Sequence, residues 1–398
     1  MQRHYILFDD SRRVNLLPLT FTRPVAEIRI GILTIKEKWE RALDSACSYL
    51  TEGYLQEKYR PAEGDRESCL INGAVIPDNK LVNSIKSLEV GQSIVWGDTI
   101  IATILPSTPI PSYIPDIYNL KEKTILVEKP FMVSTLWDIF TLNGKALEQD
   151  FDLLTKDRKT EPISTTNQVL NPEKIFIEKG AKVECAILNA SSGSIYIGSD
   201  SEIMEGAIVR GPFALCNHST LKMGAKIYGP TTIGPHSKVG GEVNNSVIFG
   251  YSNKAHDGFL GNSVIGEWCN IGADSNNSNL KNNYANVKLW NYTKKSFIDT
   301  GLQFCGLIMG DHSKCGINTM FNTGTVVGVS SNIFGSGFPR NFIPSFSWGG
   351  AHGLSVYSIN KAFDTAQMVF ERRGLPFNDI EKNILKHVFE LSEEFRKL

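Results

Sequence analysis

A single histidine, His256, stands in the stretch SNKAHDGFLGNSVIG (residues 252–266), among small and polar residues. An imidazole can accept a proton at neutral pH and so act as a general base. The competing interpretation is a surface side chain that only completes a hydrogen bond. The choice between the two interpretations depends on the secondary-structure elements that position His256. The flanking sequence carries a pattern that predicts these elements.

That pattern is a sixfold spacing of aliphatic residues. From residue 197 onward it runs through Ile197, Ile203, Val209, Leu215, Leu221, Ile227, Ile233 and Val239. A helix would need a spacing of 3.6 and an ordinary strand a spacing of two, so six fits neither. The same spacing returns at Ile177, Val183, Phe259, Ile265, Ile271, Met309, Cys315, Phe321, Val327 and Ile333.

A spacing of six predicts a hexapeptide-repeat parallel β-helix, here over residues 175–335 and about six coils. Three short strands make one coil, each strand sends an aliphatic side chain to the axis, and small residues turn the corners. Residues 189–194, 244–258 and 276–304 interrupt the spacing and are interpreted as loops or irregular corners. Function is often carried on loops that a rigid scaffold positions, and His256 lies in the second of them.

The flanking regions lack the sixfold spacing. Residues 1–160 alternate apolar strand-like runs with a helical pattern, which predicts an α/β domain. Residues 336–398 predict a capping segment followed by two helices, the second of which begins at an Asn378 cap. We interpret these helices as packing or assembly elements.

Composition excludes several functions. A net charge of −1 gives no field to gather nucleic acid or an anionic membrane, and no run of about 20 apolar residues could span a bilayer. Seven scattered cysteines without a Cys-x-x-Cys pair predict neither a disulfide framework nor a metal site, and a cytoplasmic protein is expected. Cys269 and Cys305 lack an evident base, so a covalent mechanism is not favoured.

Two N-terminal segments, LLPLTFTRPVAEI and CLINGAVIPD, resemble sugar-phosphate nucleotidyltransferases. That family carries a glycine-rich phosphate loop where this chain reads DDSRRVN, which has no glycine. Val25 and Ala74 stand where the family has a lysine and a metal-binding aspartate, and Asp78 is a substitute only in a different geometry. We therefore expect a degenerate domain, with Mg²⁺ a cofactor only if it is active.

Three arginines of this region, Arg12, Arg13 and Arg23, are the candidates for holding a nucleotide or a phosphate.

The segment HDGFLGNSVIGEWCNIGADSNNSNLKNNY resembles the bifunctional N-acetylglucosamine-1-phosphate uridyltransferase/glucosamine-1-phosphate acetyltransferase (GlmU-like) family. That family has a motif of the form His-x-x-Tyr-Leu-Gly-Asp-x-x-Ile-Gly, followed by Asn-Ile-Gly-Ala-Gly and an asparagine-bearing loop. The resemblance implies a left-handed β-helix and an acyl-CoA-dependent acyltransferase with acetyl-CoA as the donor. It also implies a homotrimer with active sites between neighbouring subunits.

By the same resemblance, His256 is the general base and Glu242 orients its ring. The Ala273 backbone N–H takes the place of the oxyanion donor, and Asn279 that of the catalytic loop asparagine.

The acceptor side departs from the family. Phe259 replaces a tyrosine and Asn244 a lysine that meets the acceptor phosphate, while Asn283 and Tyr284 are the second choice for the loop position. The acceptor is therefore expected to differ from glucosamine 1-phosphate.

Three hypotheses follow. The first is an acyltransferase acting on an amino-sugar phosphate or nucleotide sugar. The second is a sugar-1-phosphate nucleotidyltransferase with a modified N-terminal site. The third is a non-catalytic sugar-nucleotide-binding protein.

Overall fold

The structure, a computed structural model, describes residues 3–61, 67–105 and 123–396. The chain forms two compact units. These are Met1–Leu16, Thr22–Ile28 and Leu33–Thr135 for the first, and Leu17–Phe21, Arg29–Ile32 and Leu136–Leu398 for the second. Among the described residues, none of the helices is long and apolar enough to cross a membrane.

The first unit is built on a six-stranded mixed sheet. Its strands, in spatial order, are Cys47–Leu50, His4–Phe8, Ser68–Asn72, Thr99–Leu105, Gln92–Trp96 and Lys123–Leu126. Two helices accompany it, Ile35–Leu43 and Asn79–Lys86. The Thr34 side chain caps the first helix by accepting a hydrogen bond from the Glu37 backbone N–H. The Glu37 carboxylate accepts in turn from the Thr34 backbone N–H. The predicted α/β domain is confirmed.

Three parallel sheets, which we call faces 1 to 3, form the β-helix of the second unit. Face 1 contains Gln168–Leu170, Ile187–Asn189, Ile208–Arg210, Lys226–Tyr228, Glu242–Asn244 and Phe259–Gly261. Face 2 contains Ile175–Ile177, Ile195–Ile197, Phe213–Leu215, Thr231–Ile233, Val247–Ile248, Val264–Ile265, Leu307–Met309, Thr325–Val327 and Phe342–Ile343. Face 3 contains Lys182–Val183, Glu202–Ile203, Thr220–Leu221, Lys238–Val239, Asn253–Lys254, Asn270–Ile271, Lys314–Cys315, Asn332–Ile333 and Ser347–Gly350, with Gly353–Val356 added antiparallel.

The axial core confirms the sixfold pattern. All eight residues of the uninterrupted run are at most 1% exposed and belong to one cluster along the axis. Each pairs with the equivalent residue of the next coil, as Val209 does with Ile227. The predicted parallel β-helix is therefore confirmed.

The number of coils differs from the prediction. Face 2 has nine strands in the described chain, where the spacing predicts about six coils. Residues 244–258, interpreted as a loop or an irregular corner, contain the strands Val247–Ile248 and Asn253–Lys254. The coil there is shorter, since Ile233 pairs with Ile248, fifteen residues on. A further difference is that Leu260, not Phe259, points to the axis, since Leu260 pairs with Val243 and is 2% exposed.

The hairpin and helices of the second unit lie outside the three parallel sheets. An antiparallel hairpin, Lys288–Asn291 with Ser296–Asp299, rises from the third interrupting segment. Helices Asp138–Thr141 and Asn143–Thr155 precede the coils, and Ile359–Glu371 and Asp379–Leu391 follow them, the last capped by Asn378 as predicted.

The longest segment of the second unit begins at Leu136. Within it, Asn143 is fully buried, and its side chain donates to the Pro230 carbonyl and the Thr232 hydroxyl of the β-helix. The domain limits given by the sequence, at residues 160, 175 and 335, stay a prediction.

Candidate active site at a corner of the β-helix

A cleft of about 720 Å³ opens where face 3 turns towards face 1, and we call it the corner cleft. Its floor is made by outward-facing residues of four successive face 3 strands: Lys238, Asn253, Asn270 and Lys314. His256 and the corner residue Ala273 line it together. The structure therefore brings the predicted base and the predicted oxyanion donor into one cavity.

His256 and Ala273 occupy equivalent corners of adjacent coils. The two corners are stacked by a hydrogen bond of 3.0 Å from the Asp274 N–H to the Asp257 carbonyl. His256 is exposed, and Ala273 is half-buried. Within the described residues the Ala273 N–H donates no hydrogen bond, so it is available to an oxyanion in the cleft.

A column of stacked rings forms one wall of the corner cleft. Tyr251 stacks on Trp268 with ring centroids 4.2 Å apart, and Trp268 stacks on Phe370 at 4.0 Å. Phe370 belongs to helix Ile359–Glu371, so this contact fixes the end of that helix beside the cleft. Arg372 and Arg373, the two residues that follow the helix, are thereby placed in the lining.

The corner cleft is cationic. Two lysines and two arginines line it, and no carboxylate side chain does among the described lining residues. Burial, and then the neighbouring Arg372, lower the pKa of Arg373, whose guanidinium donates to the Asn253 side chain at 3.3 Å. Burial also lowers the pKa of Lys314. A bound anion would relieve the electrostatic cost of holding these charges together.

Sequence reasoning missed Lys254. It occupies an inward position of face 3, where it pairs with Val239, and it is 2% exposed. Its ammonium donates to the backbone carbonyl of His256. Burial lowers the pKa of Lys254 to about 8, while Asp257 and Asp274 act in the opposite direction. The available signal was a charged residue fifteen positions after Val239, at the inward position of a shortened coil.

Glu242, which is predicted to orient the His256 ring, lies on face 1. So do Asn244 and Phe259, which are predicted to contact the acceptor. Glu242 pairs with Phe259, and Asn244 with Gly261, across adjacent strands. The Glu242 carboxylate accepts a hydrogen bond of 2.6 Å from the Tyr228 hydroxyl. No hydrogen bond joins Glu242 to His256 in the described part of the chain.

The loop candidates separate into two groups. The Asn279 side chain donates to that of Asn262 at 2.8 Å, close to Gly261 on face 1. Asn283 accepts from the Ala285 N–H and so stabilises its own turn, while Tyr284 is 65% exposed. Of these residues, only Asn279 is held against the β-helix by its side chain.

In the first unit, two of the three phosphate candidates are paired with carboxylates. Arg12 forms an ion pair with Asp10, and Arg13 one of 3.4 Å with Asp9. Burial raises the pKa of Asp9 to about 6, opposed by Arg13 and by bonds from Thr51 and Val25. Arg23, the third candidate, is only 4% exposed.

The position of the expected metal aspartate is apolar and buried. Ala74 is 2% exposed, and its N–H donates to the Asn72 side chain. Asp78 caps helix Asn79–Lys86 by accepting from the Leu81 N–H at 2.8 Å. The described residues contain no group of three or more histidines, cysteines or carboxylates placed to hold a metal ion.

Comparison with known proteins supports both halves of the resemblance. Residues 5–159 match the family model described as "Sugar nucleotidyl transferase". The chain is 30% identical over 144 residues to the "Bifunctional sugar-1-phosphate nucleotidylyltransferase/acetyltransferase" of Sulfurisphaera tokodaii, over 36% of this chain and 35% of the relative. It is 36% identical over 87 residues to the "Bifunctional protein GlmU" of Methanocaldococcus jannaschii, over 22% and 21%.

Among solved structures, the UDP-N-acetylglucosamine acyltransferase from Campylobacter jejuni is similar with a TM-score of 0.25 and 16% identity. That similarity covers 60% of this chain and 84% of that one.

The chain spans about a third or less of the two bifunctional relatives. The resemblance to the GlmU-like family is confirmed by these curated relatives and by the family match.

Proposed function

We propose that this protein is an acyl-CoA-dependent acyltransferase that uses acetyl-CoA and acts on an amino-sugar phosphate or nucleotide sugar. The observation that carries the proposal is that His256 and Ala273 line one cationic cleft. The acetyltransferase named among the relatives supports the same reaction class.

The reaction follows from the two groups at the corner. His256 accepts the proton of the acceptor amine or hydroxyl as that group attacks the thioester carbonyl carbon. The carbonyl oxygen becomes an oxyanion, which the Ala273 N–H stabilises. Collapse of the tetrahedral intermediate breaks the carbon–sulfur bond, and the proton held by His256 passes to the leaving CoA thiolate.

The donor's phosphates would lie at the cationic end of the corner cleft. Arg372 and Arg373 at the end of the helix, with Lys238 on the floor, offer charge-assisted hydrogen bonds to them. The pantetheine arm would then follow face 3 towards Ala273.

The acceptor would lie on the side of the corner that belongs to face 1, against Asn244, Phe259 and Asn279. Glu242 would orient the His256 ring when the acceptor is bound. Asn283 and Tyr284 would contact the acceptor only from the exposed loop, and a homotrimer is part of the proposal.

A thermal-shift titration with acetyl-CoA tests donor binding. A ligand at about 100 times its Kd stabilises the native state by about 2.7 kcal/mol. We expect a concentration-dependent rise in Tm that is reduced in the Arg372→Gln/Arg373→Gln variant. Absence of any rise up to millimolar acetyl-CoA would count against the proposal.

Lys254→Met is expected to make the protein more stable and less active. The substitution removes a buried cation at similar volume, so unfolding at neutral pH should cost about 1–3 kcal/mol more. Without the hydrogen bond from Lys254 to the His256 carbonyl, the backbone that positions the imidazole is less constrained. We therefore expect kcat to fall about 10- to 100-fold, with little change in the KM for acetyl-CoA.

The stability gain should depend on pH. The unfolded lysine titrates near 10.4 and folded Lys254 at about 8, so between these values the unfolded state binds more protons and wild-type stability rises with pH. The Tm difference between variant and wild type should therefore narrow from pH 7.5 to pH 10, with the exposed Lys182→Met as the control. An unchanged kcat in Lys254→Met would contradict the proposal that Lys254 positions His256.

The second candidate function, nucleotidyl transfer, is favoured by the family match over residues 5–159. We expect no magnesium-dependent pyrophosphate release from UTP, dTTP, CTP or GTP with common hexose 1-phosphates. Ala74 offers no metal ligand, and Arg12 and Arg13 are held by Asp10 and Asp9. A coupled pyrophosphate assay checks this, and robust turnover with any pair would make the first unit an active transferase.

A further inference from the structure

A second cleft, of about 640 Å³, lies between the hairpin Lys288–Asn291/Ser296–Asp299 and the last coils, and we call it the hairpin cleft. Eight residues line it, and none of them lines the corner cleft. They are three cations, three aromatic residues and two small polar residues: Lys281, Lys288, Arg340, Trp290, Phe297, Phe342, Thr323 and Asn341. The hairpin cleft is thus a separate cavity of mixed cationic and aromatic character.

Its aromatic side presents the partly exposed ring of Phe297 beside a stacked pair of rings. Trp290 stacks on Phe342 with ring centroids 4.2 Å apart and planes 13° from parallel. Phe297 meets Trp290 edge-on at 5.4 Å and remains 42% exposed. A ring left partly exposed beside an ordered stack is a surface on which a flat heterocycle can pack.

Its cations form no salt bridges in the described part of the chain. None of the three cations forms an ion pair with a carboxylate in the described residues; Lys281 donates only to the Asn286 carbonyl at 2.8 Å. Asp299 is the partner of Lys288 across the hairpin, but its carboxylate accepts from the Gly301 N–H. Lys288 and Arg340 are exposed, so both can reach an anion in the cleft.

We propose that the hairpin cleft binds a nucleoside phosphate, with its base stacked on the exposed ring of Phe297 and its phosphate on Lys288 and Arg340. A stacked base and charge-assisted phosphate bonds use both sides of the cleft, which neither a neutral sugar nor a lone phosphate does. Such a ligand has two sources: the nucleotide half of a nucleotide sugar, or the 3′-phosphoadenosine half of a coenzyme A molecule other than the donor in the corner cleft. The inference concerns binding alone and does not depend on acyl transfer.

Calorimetric titration of the full-length protein tests the proposal. The probes are UDP and adenosine 3′,5′-bisphosphate for the two sources, and uridine, adenosine and inorganic phosphate as halves of the ligand. We expect one of the two nucleotides to bind at least 10-fold more tightly than its nucleoside and than phosphate, and the tighter nucleotide identifies the source. Equal binding of phosphate and nucleotide would overturn the proposal.

Variants locate the site. Lys288→Gln/Arg340→Gln should weaken nucleotide binding about 10- to 100-fold, and Phe297→Ser should weaken it without changing phosphate binding. Lys294→Gln, on the same hairpin but outside the cleft, should bind like wild type. Nucleotide binding that persists in the double variant, or that is lost only in Arg372→Gln/Arg373→Gln, would overturn the proposal, as would the failure of both nucleotides to bind at millimolar concentration.

Discussion

His256→Asn is expected to lower the rate of acyl transfer by about 10²–10⁴-fold, the usual contribution of a positioned general base. Asparagine keeps the polarity and much of the volume of histidine but has no nitrogen that can take a proton. Because His256 is exposed at a corner and forms no ring hydrogen bond within the described chain, the fold should be unaffected. Initial rates of CoA release, with Tm as a check on folding, measure the effect.

The control is His218→Asn, at a corner of an earlier coil. His218 is likewise exposed, stacks on His236 at 4.8 Å, and does not line the corner cleft. It should retain wild-type activity. In wild type, kcat/KM should decrease at acid pH because a protonated imidazole cannot act as a base, and this decrease should be absent from the residual activity of His256→Asn. Wild-type rates in His256→Asn would leave the histidine as a surface residue.

Ile227→Asp is expected to unfold the β-helix. Ile227 is 1% exposed and lies in the axial stack between Val209 and Val243. An unpaired carboxylate there costs several kcal/mol, comparable with the whole free energy of unfolding of a typical domain. Circular dichroism and a urea titration should show loss of the cooperative transition at neutral pH.

Ile208→Asp is the matched control, because Ile208 lies on the neighbouring strand of the same face but is 45% exposed. It should change the free energy of unfolding by less than about 1 kcal/mol. If Ile227→Asp unfolded at the same urea concentration as Ile208→Asp, the axial assignment of the sixfold pattern would be wrong.

The sixfold pattern could be predicted because every regular coil must send an aliphatic side chain inward. The prediction from this pattern failed where the coil changes length. At Ile248 the coil shortens and at Phe259 the register moves by one, since Leu260 takes the inward place. No fixed period carries information about such insertions and deletions, which the corners absorb.

The candidate site was predictable only in part. His256 and Ala273 come from a local motif, and their corners stack because successive coils stack. Lys254 was missed because a lysine at an inward position breaks the rule that identifies the coils. Arg372 and Arg373 were missed because their place depends on the packing of Phe370 against Trp268, more than a hundred residues earlier.

Acyl transfer is tested most directly by following label from [¹⁴C]acetyl-CoA to a panel of amino-sugar phosphates and nucleotide sugars. We expect wild type to label at least one acceptor and to release CoA in equal amount. Folded His256→Asn should label that acceptor at least about 100-fold more slowly. Equal labelling by both proteins, or no labelled acceptor from folded wild type that binds acetyl-CoA, would contradict the proposed function.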